Sequence, residues 1–102
     1  MAKFECAFIY VAPGSDPTKD KARIEAKAIN LSVVGVRNYD QAEEVAKELV
    51  ANGCTALELC AGFGNEGVAR IQKAVGPQIA VGAVSFSYHP AFGFKTGDEL
   101  FG

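Results

Sequence analysis

The stretch from Thr55 to Gly67 constrains the fold more than any other part of this chain. Its first half, Thr55-Ala-Leu-Glu-Leu-Cys-Ala61, is a mostly apolar run with the length of a buried strand. Its second half, Gly62-Phe-Gly-Asn-Glu-Gly67, has the composition of a glycine turn that opens a helix. A strand that leads directly into a helix predicts a parallel sheet, because parallel strands need crossover connections.

Three further strands are predicted from runs of β-branched, aromatic or alternating apolar residues. They cover residues 3–11, 29–36 and 78–87, with the central strand at 55–61. The charged segment 19–27 offers few apolar residues to bury, and it predicts only a weak helix or an ordered loop.

Two helices are predicted between these strands. The first opens at Arg37-Asn-Tyr-Asp40, where cap residues precede an apolar stripe, and it stops at Asn52-Gly53. The second runs from about Glu66 to Val75 and ends at Gly76-Pro77. The chain therefore predicts a single α/β domain over residues 1–102, with about four mainly parallel strands. Such a sheet is either a half-barrel or a flavodoxin-like open sheet.

Composition and charge exclude several classes of function. A net charge of −2 leaves no basic patch for nucleic acid. The apolar runs are too short to span a bilayer, and the N-terminal residues lack a signal pattern. Three cysteines without C-x-x-C spacing and a single histidine leave too few ligands for a zinc site. We therefore predict a cytoplasmic protein with reduced thiols, no metal, no cofactor, and neither nucleic-acid nor membrane partners.

Chemically versatile residues gather at the predicted carboxyl ends of the strands, where parallel sheets bind their ligands. The predicted ligand-binding residues are Arg37 after the second strand, Gly62, Gly64 and Asn65 after the third, and Ser85 in the fourth. Their position predicts a small-molecule site at this edge of the sheet.

The turn at residues 62–67 matches the pattern G-x-G-x-x-G. Free backbone N–H groups at a helix N-terminus favour a small anion such as a carboxylate or phosphate. As a dinucleotide fingerprint the pattern is weak, because it follows the third strand and because Glu66 adds negative charge. The structural alternative is a tight turn that needs positive φ, with Glu66 favourably placed at the helix start.

Glu58 and His89 are the candidate catalytic residues. Glu58 shares a strand face with Ala56 and Cys60, where a carboxylate is costly unless it has a partner or opens to a cleft. A raised pKa would suit it to acid–base chemistry with His89, whose ordinary pKa lies near neutrality. The alternatives are a glutamate held by structural partners or facing water, and an exposed loop histidine. Whether the protein is an enzyme stays open on these residues.

The tail from Tyr88 onward contains three of the seven phenylalanines, and it is expected to pack on this subunit or on a neighbouring one. Asp98 and Glu99 are predicted to cap a final helical turn. Four strands cannot close a barrel, so exposed apolar edges predict a homo-oligomer. The alternative function is accordingly a non-catalytic oligomerisation or sensing module.

Several segments together carry a resemblance to a known family. They are Phe8-Ile-Tyr-Val-Ala-Pro-Gly14, Val33–Val36, Glu58-Leu-Cys-Ala-Gly-Phe-Gly64, His89-Pro90 and Thr96-Gly-Asp-Glu-Leu-Phe101. With them the whole chain resembles a small microbial family of about this length that is named as a domain of unknown function. That family has no established activity, so the resemblance implies no catalytic role.

A looser similarity covers the segment from Ala46 to Val84. It is similar to consecutive βα units of (β/α)8-barrel aldolases and epimerases, which implies phosphate binding at the glycine turn. The Schiff-base lysine of those enzymes has no match in the last three predicted strands.

Overall fold

Five strands form one sheet in the computed structural model, which describes residues 3–102. They are β1 (Phe4–Val11), β2 (Lys21–Glu25), β3 (Ile29–Val36), β4 (Ala56–Leu59) and β5 (Ala80–Ala83). The strand order is β2-β3-β1-β4-β5, with β2 antiparallel to β3 and every other neighbouring pair parallel. The prediction of a single α/β domain with a mainly parallel sheet is confirmed, and the sheet is open.

The helices are α1 (Tyr39–Ala51), α2 (Asn65–Val75) and the short α3 (Gly97–Phe101), with a 3-10 turn at Pro90–Phe92. Local capping explains the start of α1: the Asn38 side chain accepts from the Gln41 N–H at 2.9 Å. The Gln41 side chain in turn accepts from the Arg37 N–H at 2.9 Å. Gly53, with φ of 106°, turns the chain after the helix as predicted.

The predicted weak helix or loop at residues 19–27 is wrong, because this segment contains the edge strand β2. Ala22 and Ile24 alternate with charged residues, and the strand pairs antiparallel with β3. Arg23 fixes the pairing, since its guanidinium donates to the Ser32 hydroxyl at 2.9 Å and to both Glu5 carboxylate oxygens at 3.1 Å.

The last strand is shorter than the predicted range of residues 78–87. It spans Ala80–Ala83, because its partner β4 ends at Leu59 and no further residues of β4 are there to pair with it. The Val84 N–H still donates to the Leu59 carbonyl at 3.3 Å. Residues 85–88 therefore leave the sheet at its carboxyl edge.

Both long helices pack on the same face of the sheet. The crossovers from β3 to β4 and from β4 to β5 step in the same direction, so right-handed connections place α1 and α2 together. The side chains of β1 that face them, Ala7, Ile9 and Val11, are buried, as are Leu57 and Leu59 of β4. This face carries the hydrophobic core.

The opposite face of the sheet, which we call the open face, has no helix packed on it within residues 3–102. Alternation along the strands and their register define its side chains. They are Phe4, Cys6, Phe8 and Tyr10 of β1, Ala22 and Ile24 of β2, Ile29, Leu31 and Val33 of β3, Ala56 and Glu58 of β4, and Ala80 of β5. Most of them are apolar.

Candidate functional site

A cleft of about 400 Å³ lies at the carboxyl ends of β4 and β5. The glycine turn, the segment after β5 and the tail form its walls, and we call it the tail cleft. It is lined by Gly64, Asn65, Ser85, Phe86, Ser87, Thr96 and Asp98. Three of the predicted ligand-binding residues, Gly64, Asn65 and Ser85, therefore come together here.

Asp98 of the tail caps the N-terminus of α2. Its carboxylate accepts from the backbone N–H groups of Glu66 at 3.0 Å and Gly67 at 3.1 Å. The cap position of α2 is Gly64, which has no side chain to do this. Two of the donors that suggested an external anion site are therefore occupied by a carboxylate of the same chain.

Tyr39 connects this cap to the glycine turn. Its side chain is fully buried, and its hydroxyl donates to Asp98 at 2.8 Å and accepts from the Gly64 N–H at 2.9 Å. The ring stacks on Phe63 with centroids 5.5 Å apart. Burial raises the pKa of Tyr39 well above its ordinary value, so the phenol keeps its proton and stays a donor at neutral pH.

The three glycines of the G-x-G-x-x-G pattern are required by close packing. A Cβ on Gly64 would collide with the Asp98 carboxylate, and a Cβ on Gly67 would collide with the Tyr39 ring. A Cβ on Gly62 would press against β1. None of the three has positive φ, so the expectation of a turn that needs positive φ is wrong here.

The tail folds back on its own subunit. Thr96 and Glu99 form a reciprocal capping box at the start of α3, which confirms the predicted role of Glu99. The predicted role of Asp98 at the same turn is wrong, because its carboxylate reaches α2 instead. Phe101 is buried at 6% exposure, and Gly97 lies against the Gly62 carbonyl with no room for a Cβ.

The structure places the two candidate catalytic residues on different elements. Glu58 is exposed on the open face, beside Phe8 of β1 in the strand register. His89 precedes the 3-10 turn, where its Nδ1 accepts from the Ala91 N–H at 3.1 Å and its ring stacks on Phe92. Within residues 3–102, no hydrogen bond or ion pair joins Glu58 to His89, and neither residue lines the tail cleft.

The other two predicted ligand-binding residues also lie outside the tail cleft. Gly62 is buried, and its N–H donates to the Cys60 sulfur at 3.3 Å. Arg37 is exposed after β3. It lies near Asp16, whose pKa is lowered mainly by hydrogen bonds from Thr18 and slightly by the Arg37 charge.

Four residues of the tail cleft were missing from the sequence prediction. They are Phe86, Ser87, Thr96 and Asp98. Ser87 lies two residues after the predicted Ser85, and this spacing was a usable signal. Asp98 had none, because it binds α2 across 32 residues of sequence.

The tail cleft offers hydroxyl, amide and aromatic groups and one carboxylate. Its lining includes no lysine, arginine or histidine. Within residues 3–102, no cluster of three or more His, Cys, Asp or Glu side chains is arranged to hold a metal ion. These groups suit hydrogen bonding to an uncharged or cationic small molecule.

A larger groove of about 480 Å³ lies between β2, β3 and α1, at the edge that α1 does not cover. Its guanidinium, from Arg23, is already paired with Glu5 and Glu25. The groove also lies along the side of the sheet rather than at the strand carboxyl ends. The tail cleft is therefore the better candidate site.

A protein-family model described as "Family of unknown function (DUF6506)" matches residues 4–99. The chain belongs to this family. The DUF6506 match covers all five strands, α1, α2 and every residue that lines the tail cleft. The predicted membership of an uncharacterised family of small domains is thus confirmed.

No curated protein and no solved structure matches this DUF6506 chain. In the described part of the chain, the helices are too short and too polar to cross a membrane.

Proposed function

We propose that this DUF6506 protein binds a small molecule in the tail cleft. The observation that carries the proposal is a cleft of about 400 Å³ beside Gly64, at the carboxyl ends of β4 and β5. Its size lies within the range typical of small-molecule sites, about 300–1,000 Å³. Phe86 is 46% exposed and offers a ring face, while Asn65 and Ser85 offer hydrogen-bonding groups beside it.

The charge of the cleft supports an uncharged, hydroxyl-rich ligand or an amine. Asp98 neutralises the N-terminus of α2, and no cationic side chain lines the cleft. A carboxylate or phosphate ligand, which the glycine turn suggested, is the second candidate. Such an anion would have to displace Asp98 from the N–H groups of Glu66 and Gly67.

Binding rather than catalysis is the activity proposed. Acid–base chemistry through Glu58 and His89 gains no support from their positions, since both lie outside the cleft lining. Phosphate binding like that of the barrel aldolases also gains no support. The crossover from β3 to β4 passes over β1, and the sheet stays open.

Two further inferences from the sequence belong to the same proposal. A cytoplasmic location is supported by three cysteines that are all free of disulfides. A homo-oligomer is supported by the apolar open face, and a module that only oligomerises is the second candidate function.

Calorimetry and thermal-shift measurements test the proposal on the full chain. The probes are glucose and ribose as polyols, ethanolamine as an amine, and phosphate and citrate as anions. We expect a polyol or the amine to raise the melting temperature, and Asn65→Ala and Ser85→Ala each to weaken its binding about tenfold through lost hydrogen bonds.

Gln78→Ala is the matched control, because Gln78 is an exposed amide side chain outside the cleft lining. It should leave binding unchanged. The proposed site is rejected if none of the five probes binds. It is also rejected if a probe binds both cleft variants with the same affinity as wild type. Binding of phosphate or citrate alone would favour the second ligand class.

A further inference from the structure

The open face is an apolar surface in a type of sheet that is normally buried on both sides. All-parallel sheets occur almost only with both faces covered, and four of the five strands here pair in parallel. Here Phe4 and Ile24 are 48% and 55% exposed on that face. Leu31 and Val33 lie between them on β3 and are only partly buried.

Chain connectivity explains why this face has no helix. The step from β1 to β3 runs opposite to the two later crossovers, so a helix in that connection would lie on the open face. The connection contains the edge strand β2 instead. The tail does not cover the face, since Asp98 and Phe101 contact Tyr39 on the helix side.

The charge pattern of the open face favours another copy of the same chain as its cover. In the described strands, Glu58 is its one charged residue, and it lies on β4 to one side of Phe8. The region from β1 to β2 is uncharged, so two copies can meet there without repulsion. With no lysine or arginine on the face, an anionic membrane surface is a poor partner.

The dimensions of the open face also suit a dimer. Five strands of four to eight residues, about 4.8 Å apart, cover roughly 450 Å² in projection. A stable dimer buries about 800 Å² of accessible surface per partner. The accessible area of the open face is larger than its projected area, because its side chains protrude from the sheet. Apolar sheet faces also pack well against each other, about 10 Å apart.

We propose that two copies of this protein pack their open faces against each other, with Phe8 near the centre and Glu58 at the rim. Phe8 adjoins Val33 on β3 and Glu58 on β4. An apolar centre with a polar rim is the usual anatomy of such interfaces. The inference deepens the homo-oligomer proposed above and is independent of ligand binding in the tail cleft.

Sedimentation equilibrium of the full chain from about 1 to about 100 µM tests the interface by mass action. Wild type should be a dimer in this range. Phe4→Lys and Ile24→Lys lie on different strands and are already half exposed, so folding should survive. Each should raise the dimer dissociation constant at least about tenfold, because a buried lysine loses its hydration.

Phe94→Lys is the matched control, because Phe94 is 68% exposed and lies in the tail, outside the strands of the sheet. It should dimerise like wild type, and circular dichroism should show that all three variants are folded. If the wild type stays monomeric up to 100 µM, both the proposed homo-oligomer and the proposed interface are wrong. The same conclusion follows if the protein is a monomer that binds phosphatidylcholine vesicles. If the dimer dissociation constant is unchanged by both open-face substitutions, only the proposed interface is wrong. Ligand binding is measured separately for each variant.

Discussion

The carboxylate of Asp98 joins three parts of the chain at the scale of single residues. It binds the N-terminus of α2 and the buried hydroxyl of Tyr39, and Tyr39 in turn holds Gly64. Short-range patterns predict caps within a few residues of a helix start. A cap supplied from 32 residues away leaves no such pattern, so it was not predictable from spacing.

Replacing Asp98 with alanine is expected to lower the free energy of unfolding by about 2–4 kcal/mol. A lost cap costs about 1 kcal/mol, and leaving buried donors unsatisfied costs about 1–3 kcal/mol more. Urea denaturation at pH 7 measures the change. Glu99→Ala is the control, since its capping box is exposed and should cost about 1 kcal/mol or less. Equal losses for the two variants would show that Asp98 has no special role.

Gly64 gives a second residue-scale prediction. Its φ of −78° suits any residue, and the atoms nearest to an added Cβ are those of the Asp98 carboxylate. Gly64→Ala should therefore cost about 2 kcal/mol in wild type and clearly less in the Asp98→Ala background, where the space is empty. A double-mutant cycle in urea measures this coupling. Strict additivity would mean that the two residues do not compete for the same space.

Predictability differs between the elements for a physical reason. Helix α1 was predicted because its apolar stripe and both of its ends depend on nearby residues such as Asn38 and Gly53. Strand β2 was missed because all five of its residues are exposed, and its structure depends on pairing with β3. The same limit applies to the tail cleft: Gly64 and Ser85 follow strands and were predicted, whereas Thr96 depends on how the tail docks.

The edge strand β2 also predicts an acid sensitivity. A hydrogen bond from Asn30 and then the Arg23 guanidinium hold the pKa of Glu5 below its ordinary 4.5. A carboxyl with a lowered folded pKa contributes stability above 4.5, and this is lost as pH falls through the folded pKa. Melting temperatures between about pH 7 and about pH 3 should therefore fall less steeply for Glu5→Gln than for wild type.

The matched control for this acid sensitivity is Glu44→Gln, because Glu44 is an exposed glutamate of α1. Its melting temperatures should follow those of wild type across the same pH range. If Glu5→Gln shows the same slope as wild type, the contacts of the Glu5 carboxylate with Asn30 and Arg23 do not contribute to the acid sensitivity.

At the scale of the whole molecule, the chain is covered on one side and open on the other. The tail completes the covered side, because α3 packs against α2 and carries Asp98 to its N-terminus. The open face stays uncovered in one copy, because the connection that could have carried a covering helix contains β2 instead. The proposed association between copies would therefore use a different surface from the one that stabilises a single copy, so the two can be varied separately.

Two neighbouring residues of α3 separate these contributions. Phe101 is buried against Tyr39 and Phe92, whereas Leu100 is 44% exposed. Phe101→Ala should cost about 3–5 kcal/mol of unfolding free energy, and Leu100→Ala about 0.5 kcal/mol or less. Because the free energy of unfolding of a domain of this size is only about 5–15 kcal/mol, the Phe101→Ala variant should melt far below wild type at any protein concentration. If it instead changed only the dimer dissociation constant and left the monomer's melting temperature intact, the tail would belong to an interface between copies.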